Sequence, residues 1–253
     1  LAAYRMGAGL VKILRRRRTG RFYRRSFRKL SFPFMIAPKL WKSRNSFLGK
    51  IEKECGWADA VVLGPGLGKG ALGRCVWYSR SLLSAFVPIV LDADGLNIVA
   101  ENPSLSEYFT ENVLVAPHVG EMARLSGLEI EEIQADLTKA AEDYSEKYGV
   151  IIVLKDAATV VVRKDEPIYI NSSGCAAMAK AGSGDVLTGV LAALIAMGME
   201  EGQAAVLGVY LHGLAGEAAE KALGENGVLA RDLADSLADV EREEAVCGRK
   251  KRT

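Results

Sequence analysis

The residues best suited to chemistry lie in the stretch AKAGSGDVLTG, residues 179–189. Gly182, Ser183 and Gly184 leave backbone N–H groups unobstructed where an apolar helical pattern begins, and the N-terminus of a helix is a ready anion site for a phosphate. Asp185 follows at once, either as an ordinary acid of a first helical turn or as a general base that deprotonates a hydroxyl attacking phosphorus. The stretch therefore indicates phosphoryl transfer, with Asp185 as the candidate base.

The elements that must position these residues follow from hydrophobic patterning. Short runs rich in β-branched residues predict buried strands at residues 59–64, 87–92, 112–117 and 150–155. Helical patterns occupy residues 70–86, 130–148, 183–197, 202–223 and 230–243. The alternation of strands and helices predicts a parallel sheet with helices on both faces. Two further runs, 158–163 and 167–171, predict an antiparallel pair at the sheet edge.

Ligands of such a sheet bind outside the carboxyl ends of its strands, so the residues that follow each run are candidates. GPGLG follows the first run, and its Gly66 and Gly68 allow close approach of a ligand, although a tight turn would use the same glycines. Asp92 ends the second run and Asp94 lies just beyond it, at a strand end where carboxylates could orient a metal or a polar substrate. Asp94 is equally explained as the cap of the next helix.

Polar residues also follow the third and fourth runs. His118 and Glu121 come after the third, and a strand-end loop is a more telling place for a histidine than a helix face. His212, the other histidine, falls within a helical pattern and is interpreted as a packed histidine. Lys155 ends the fourth run and is either an ordinary solvated lysine or a point charge for a phosphate, with the hydroxyl of Thr159 close behind.

Composition bounds the class of protein. With 253 residues, 49% of them hydrophobic, the chain can fill the core of a single α/β domain. Its four cysteines show no CxxC spacing and it has two histidines, which argues against a structural zinc site and favours a reduced, cytoplasmic setting. We expect neither a membrane span nor a secretion signal, since no apolar run reaches the roughly 18–20 residues a span needs.

Charge is distributed unevenly. Residues 1–50 hold 15 Lys and Arg and no acid, a net charge of +15, whereas the remaining residues carry a net charge of −13. Basic residues mix with aromatic ones over residues 14–44, a composition typical of RNA-binding or organelle-targeting segments because arginines neutralise phosphates and aromatic rings stack on bases. The same segment is compatible with a disordered arm or with a stretch that does not belong to the fold.

Six motifs in a fixed order resemble one enzyme family. They are GPGLG, DADGLN, APHVGEMARL, VLKDAAT, NSSGCAAMAKAGSGDVLTG and GVYLHG. AGSGD at a helix start resembles the anion hole of the ribokinase-like superfamily, and the full set resembles its ADP- or ATP-dependent NAD(P)H-hydrate dehydratases. The resemblance covers residues 59–223 and the opening LAAYRMGAGLVKI. It implies a ribokinase-like three-layer α/β sandwich, as a single domain over residues 1–253, with a mostly parallel sheet and an antiparallel edge pair.

The resemblance also implies a role for each site residue. The nucleotide is expected to contact Lys155, Asp156, Ala157, Ala158, Thr159 and Gly184. The hydrated nicotinamide dinucleotide is expected to contact Gly66, Gly68, His118 and Asp185, with Asp94, Asn97 and Glu121 in support. Asp185 is expected to deprotonate the C6 hydroxyl for attack on the terminal phosphate, after which phosphate is eliminated and NADH or NADPH is restored.

Cofactors and partners follow from the same resemblance. Mg²⁺ and a phosphoryl donor are expected, the donor being ADP in most bacterial members and ATP in eukaryotic ones. The protein is expected to be a homo-oligomer, a tetramer as in the family, with no nucleic acid as partner.

The chain departs from the family pattern in three places. Residue 1 falls inside the helix that carries the AxxxGAGLV pattern, so the first strand and glycine-rich loop of the family are expected to be missing from a truncated N-terminus. Residues 14–44 stand where a strand and a mixed-charge helix are expected, and a compensated reading-frame slip is the favoured interpretation. Asp156 replaces the usual glycine of the family but leaves Lys155 and Thr159 in place.

Two other functions remain open on the sequence. A kinase of the same superfamily acting on a small vitamin precursor would share the GSGD start and leave the phosphate on its product. PHVGEM and GVYLHG favour the dehydratase over it, by resemblance only. The other is a catalytically inactive nucleotide- or RNA-binding protein whose basic segment carries the role, which loss of RNA binding on deleting residues 14–44 would favour.

Overall fold

The computed structural model describes residues 1–15, 35–36, 53, 55–67 and 87–250, with side chains left out at 14–15, 35–36, 241 and 243–250. Gly68, the helix expected at 70–86 and most of the basic segment 14–44 lie outside the described residues. Two short pieces of that segment are described. Strand β1 (Leu14–Arg15) pairs in parallel with strand β2 (Met35–Ile36).

A six-stranded sheet forms the centre of the molecule. Its strands are β3 (Val61–Leu63), β4 (Ile89–Leu91), β5 (Val113–Val115), β6 (Ile151–Leu154), β7 (Val160–Val162) and β8 (Tyr169–Ile170). They lie side by side in chain order, and β3 to β6 are parallel. β7 and β8 add to the β6 edge in antiparallel register. The predicted strands and the antiparallel edge pair are confirmed.

Helices cover the sheet. The α-helices are α1 (Ala2–Arg5), α2 (Asp94–Glu101), α3 (Val119–Ser126), α4 (Ile130–Ala135), α5 (Leu137–Tyr148), α6 (Ser183–Ala196), α7 (Glu201–Leu223) and α8 (Ala230–Lys250). Short 3₁₀ helices lie at Pro103–Tyr108, Ala176–Met178 and Glu225–Gly227. Among the helices of the described residues, none has the length and apolar character that crossing a membrane requires.

Two helix predictions were wrong in extent. The single helix predicted over residues 130–148 is divided at Asp136, whose backbone (φ −152°, ψ 87°) is not helical. The Asp136 carboxylate accepts the Lys139 N–H at 2.9 Å and so begins a second helix, because a side-chain acceptor at the N-cap competes with helix continuation. The last helix continues past the expected residue 243 to Lys250.

The four inner strands, β4 to β7, are buried on both faces, as a sheet with helices on each side requires. Ile89 and Leu91 of β4 face the layer of α2 to α5, whereas Val90 between them faces the layer of α1, α6, α7 and α8. All three side chains are essentially inaccessible to solvent. Each large aliphatic side chain buried in this way contributes about 1.5–3 kcal/mol to the free energy of folding. The sheet therefore holds the residues at its strand ends in fixed positions.

The turns after β3 and β4 pack tightly against each other. Gly64 has a φ of 134°, and a Cβ on it would overlap the Asp92 carbonyl oxygen. The Asp92 N–H donates to the Leu63 carbonyl at 3.2 Å. The next residue, Ala93, has a φ of 50°, a backbone conformation uncommon outside glycine and costly enough to persist only where the surroundings enforce it. The backbone around Asp92 is therefore tightly constrained.

Candidate active site

Three polar residues predicted at strand ends lie next to one another. Asp92, His118 and Lys155 follow the neighbouring strands β4, β5 and β6. The Lys155 N–H donates to the Pro117 carbonyl at 2.8 Å, so His118 and Lys155 continue the parallel pairing just beyond the strands. The structure thus brings these three candidate residues together at the carboxyl edge of the sheet.

Lys155 is held by carboxylates. Its Nζ lies 2.6 Å from Asp92 Oδ1 and 3.9 Å from Glu121 Oε2. Asp92 is 2% exposed and Glu121 is 5% exposed. The interpretation of Lys155 as an ordinary solvated lysine is therefore wrong. Desolvation offsets much of the attraction in a buried ion pair, so such a cluster is a weak source of stability and a stronger sign of a functional site.

The start of α6 has the features of an anion site. Gly182 stands at the N-cap with a left-handed φ of 92°, and within the described structure no side chain caps this helix. A Cβ on Gly184 would lie 3.3 Å from Lys155 Nζ. Because Gly184 has no side chain, the Lys155 ammonium can approach the start of the helix. The free backbone N–H groups there already favour negative charge. A phosphate group fits this combination of backbone donors, bare glycine and lysine.

Asp185 lies in the first turn of α6 and is exposed to solvent. Partial desolvation of its carboxyl raises the pKa above the ordinary value of 3.8, the negative charge of Asp92 raises it further, and the positive charge of Lys155 opposes both. A carboxylate with a raised pKa is a stronger base than an ordinary aspartate, as proton abstraction from a hydroxyl requires.

Sequence reasoning did not identify Thr188 as part of this site. Its hydroxyl donates to Asp92 Oδ2 at 2.5 Å and lies 3.0 Å from the Gly184 carbonyl oxygen. It is 2% exposed. The available signal was a threonine one turn after Gly184 in an otherwise apolar helix. Its partner is 96 residues away in the sequence, so the signal did not reveal the contact.

His118 and Glu121 cap helix α3. The Gly120 N–H donates to His118 Nδ1 at 3.0 Å, and the His118 N–H donates to Glu121 Oε2 at 2.9 Å. Because Nδ1 accepts a hydrogen bond, the neutral ring carries its proton on Nε2, which lies 3.6 Å from Glu121 Oε1. The His118 side chain is 56% exposed. It is thus accessible to a ligand while its backbone is fixed.

His212 is a packed histidine, as the sequence predicts. It is 7% exposed within α7, and burial lowers its pKa to about 4. Its Nε2 lies 3.4 Å from the Ser183 hydroxyl oxygen. A neutral imidazole therefore supports Ser183 at the start of α6.

The remaining predicted residues lie in surrounding turns and helix starts. Asn97 Oδ1 accepts the Arg124 Nε–H at 2.8 Å on an exposed surface and so ties α2 to α3. Thr159 donates its hydroxyl to the Asp156 carbonyl at 3.3 Å and closes the turn that also holds Ala157 and Ala158. Asp94 lies in the first turn of α2, and Gly66 lies in the turn after β3 with a φ of 73°.

A metal cage is not formed by the side chains that the structure describes. Within that part of the chain, no group of three or more His, Cys, Asp and Glu residues is arranged to hold a metal ion. The nearest buried carboxylate pair, Asp92 and Glu121, already shares the Lys155 ammonium.

Comparisons with known proteins agree on one family. A family model described as NAD(P)H-hydrate dehydratase matches residues 1–239. The ADP-dependent (S)-NAD(P)H-hydrate dehydratase of Neisseria meningitidis is 35% identical over 215 residues, which cover 82% of this chain and 71% of that protein. The bifunctional NAD(P)H-hydrate repair enzyme Nnr of Moorella thermoacetica is 41% identical over 180 residues, covering 71% of this chain and 34% of the relative.

Solved structures show the same fold. The ADP/ATP-dependent NAD(P)H-hydrate dehydratase of Bacillus subtilis, co-crystallised with ATP/Mg²⁺ and soaked with CoA, superposes with a TM-score of 0.73. It is 24% identical, and the match covers 96% of this chain and 84% of that one. A ribokinase-like superfamily protein of Enterococcus faecalis gives a TM-score of 0.76 at 23% identity. The predicted ribokinase-like fold is confirmed. The chain spans about a third of the length of the bifunctional relative from Moorella thermoacetica.

Proposed function

The chain belongs to the NAD(P)H-hydrate dehydratase family, and we propose that it uses an adenine nucleotide to dehydrate NAD(P)H hydrate back to NAD(P)H. The observation that carries this proposal is the place of Asp185. A carboxylate with a raised pKa lies in the first turn of a helix whose bare glycine start also meets the Lys155 ammonium. A base and a phosphate site on one helical turn suit phosphoryl transfer to a hydroxyl.

The first step activates the substrate. Asp185 takes the proton of the C6 hydroxyl, and the resulting oxygen attacks the terminal phosphorus of the nucleotide. The bond between that phosphorus and its bridging oxygen breaks, so ADP leaves AMP, or ATP leaves ADP. The backbone N–H groups of Gly184 and Asp185 and the Lys155 ammonium stabilise the charge on the transferred group, because they are held in place before the reaction begins.

The second step removes the phosphate. The lone pair of the ring nitrogen expels the phosphate ester from C6 as inorganic phosphate, and loss of a proton from the neighbouring ring carbon forms the carbon–carbon double bond of NAD(P)H. Overall, one water is removed from the hydrate and appears in the hydrolysis of one phosphoanhydride. His118 contributes an exposed imidazole edge for the hydrated dinucleotide, with Gly66 in the neighbouring turn.

The nucleotide is proposed to lie across the turn after β6. Lys155 reaches the phosphates, and the turn from Asp156 to Thr159 presents exposed backbone at the mouth of the site. Bound Mg²⁺ would supply further neutralisation of the phosphates. The relative from Neisseria meningitidis is an ADP-dependent enzyme, which supports ADP as the donor in this proposal.

Product analysis tests the proposal against a kinase of the same superfamily. Purified protein is supplied with NADH hydrate, Mg²⁺ and either ADP or ATP, and phosphorus NMR follows the nucleotide. We expect inorganic phosphate to appear in equal amount to the NADH formed, with AMP as the other product from ADP. A stable phosphorylated product without free phosphate would identify a kinase and refute the dehydratase.

A further inference from the structure

The Asp92 carboxylate accepts three hydrogen bonds, yet the proposed mechanism assigns it no role. Its Oδ1 accepts from Lys155 Nζ at 2.6 Å and from the Ala93 N–H at 2.8 Å. Its Oδ2 accepts from the Thr188 hydroxyl at 2.5 Å. One buried carboxylate therefore joins the end of β6 to the first turns of α6.

The position of this carboxylate is fixed from two sides. On the backbone side, the turn that carries it is locked by the strained Ala93 and by the contact with Gly64. On the side-chain side, Asp92 Oδ2 lies 3.9 Å from where a Cβ on Gly184 would be, next to Asp185. The strained backbone at Ala93 and the buried charge of the adjacent Asp92 both cost free energy of folding. Their presence together indicates that this turn serves function rather than stability.

We propose that Asp92 is a positioning residue for Asp185: it anchors the Lys155 ammonium at the start of α6, and its own negative charge keeps that ammonium from weakening the base. This inference rests on the proposed function for its consequence in catalysis. The predicted effect of Asp92 on the pKa of Asp185 does not depend on the proposed function, because it can be measured in the folded protein without substrate.

The charges that face Asp185 set the sign of the effect. Asp92 and Lys155 act on it directly and in opposite directions. Glu121 lies 3.9 Å from the Lys155 ammonium and adds a second negative charge there, whereas the buried His212 is neutral above about pH 4. Two carboxylates thus share one ammonium. Removing the Asp92 charge takes away a negative charge that raises the pKa of Asp185, so this pKa is expected to fall.

The test is Asp92→Asn, which keeps the size of the side chain and removes its charge. We expect the acid limb of the pH profile of kcat/KM to move down by about one pH unit, and kcat near neutral pH to fall roughly 3- to 10-fold because the base is weaker. The pKa of Asp185 is also read directly by carbon NMR of labelled carboxyl groups, with Asp185→Asn identifying the signal. An unchanged pKa of Asp185 in Asp92→Asn overturns the proposal.

Two further variants separate charge from packing. Thr188→Val removes a buried hydrogen bond to the same carboxylate but keeps its charge, so we expect lower stability with the acid limb in place. A shift as large as that of Asp92→Asn would mean that packing, not charge, is responsible and would refute the proposal. Lys155→Met should move the pKa of Asp185 upward. An unchanged or lower pKa in that variant would also refute the proposal, so it stays falsifiable if Asp92→Asn does not fold.

The NMR measurement also separates this inference from the proposed function. Absence of dehydratase activity in the unmodified protein would refute the proposed function. The shift of the Asp185 signal between the unmodified protein and Asp92→Asn would still confirm or refute the role of Asp92.

Discussion

At the scale of residues, the site combines a strong base with charges that are costly to bury. Asp185 has a raised pKa chiefly because of partial desolvation, so its ionised form is less favourable in the folded chain than in the unfolded one. The folded state therefore binds the proton more tightly. The environment that makes Asp185 a stronger base therefore also lowers the stability of the folded protein when Asp185 is ionised.

Asp185→Asn is predicted to reveal this trade in the pH dependence of folding. Between the ordinary aspartate value of 3.8 and the higher native pKa, the folded protein holds more protons than the unfolded one, so the free energy of unfolding decreases as pH rises. The variant lacks this titration. Its stability relative to the unmodified protein should increase from about pH 4 upward and level off above the native pKa.

Urea unfolding of both proteins at a series of pH values provides the measurement. His212 titrates in the same range but is present in both proteins, so its contribution cancels in the difference. A difference in unfolding free energy that does not change with pH would contradict a raised pKa for Asp185.

At the scale of elements, helix α7 positions the chain that leads into α6. The Ser173 hydroxyl donates to the Tyr210 carbonyl at 2.9 Å, and the Gly174 N–H donates to Glu217 Oε1 at 2.7 Å. Contact with the helix is close because it carries glycine where the loop crosses. A Cβ on Gly213 would lie 2.7 Å from the Ser173 carbonyl carbon. The start of α6 thus depends on the small residues of a neighbouring helix.

Gly213→Ala is predicted to push this loop away from α7. Overpacking costs about 1–3 kcal/mol, of which the better helix propensity of alanine returns up to about 1 kcal/mol. We expect the midpoint of thermal unfolding to fall by a few °C and nucleotide affinity to fall with it. Gly227→Ala is the control, since its Cβ would make only an ordinary contact 3.6 Å from Leu223 Cβ. Equal midpoints for the two variants would contradict the tight packing.

At the scale of the whole molecule, much of the fold could be predicted from local sequence patterns. The strands were predictable because β-branched runs bounded by turn residues are local patterns, and the glycine start of α6 was predictable for the same reason. The division at Asp136 was not anticipated, since a capping carboxylate inside a helical pattern competes with the pattern itself. The predicted contacts of Gly68 and the origin of residues 14–44 stay predictions.

The contacts among the site residues could not be predicted from the sequence, for a different reason. Lys155 and Thr188 meet Asp92 across 63 and 96 residues of chain, and only the order of strands in the sheet brings them together. Each residue was visible as a polar group at a strand or helix end. Which of them would share a proton or a charge depends on tertiary distances that no local pattern contains.

The most direct test of the account is recovery of the reduced dihydronicotinamide ring. Its long-wavelength absorbance is absent from the hydrate, so it is followed as NADH hydrate meets the protein, Mg²⁺ and ADP or ATP. The account predicts that absorbance returns with one of the two nucleotides, and that Asp185→Asn, which folds and binds the nucleotide, is inert. Full recovery with Asp185→Asn, or no recovery with an unmodified protein that binds ADP, would contradict Asp185 as the base of a nucleotide-dependent dehydratase.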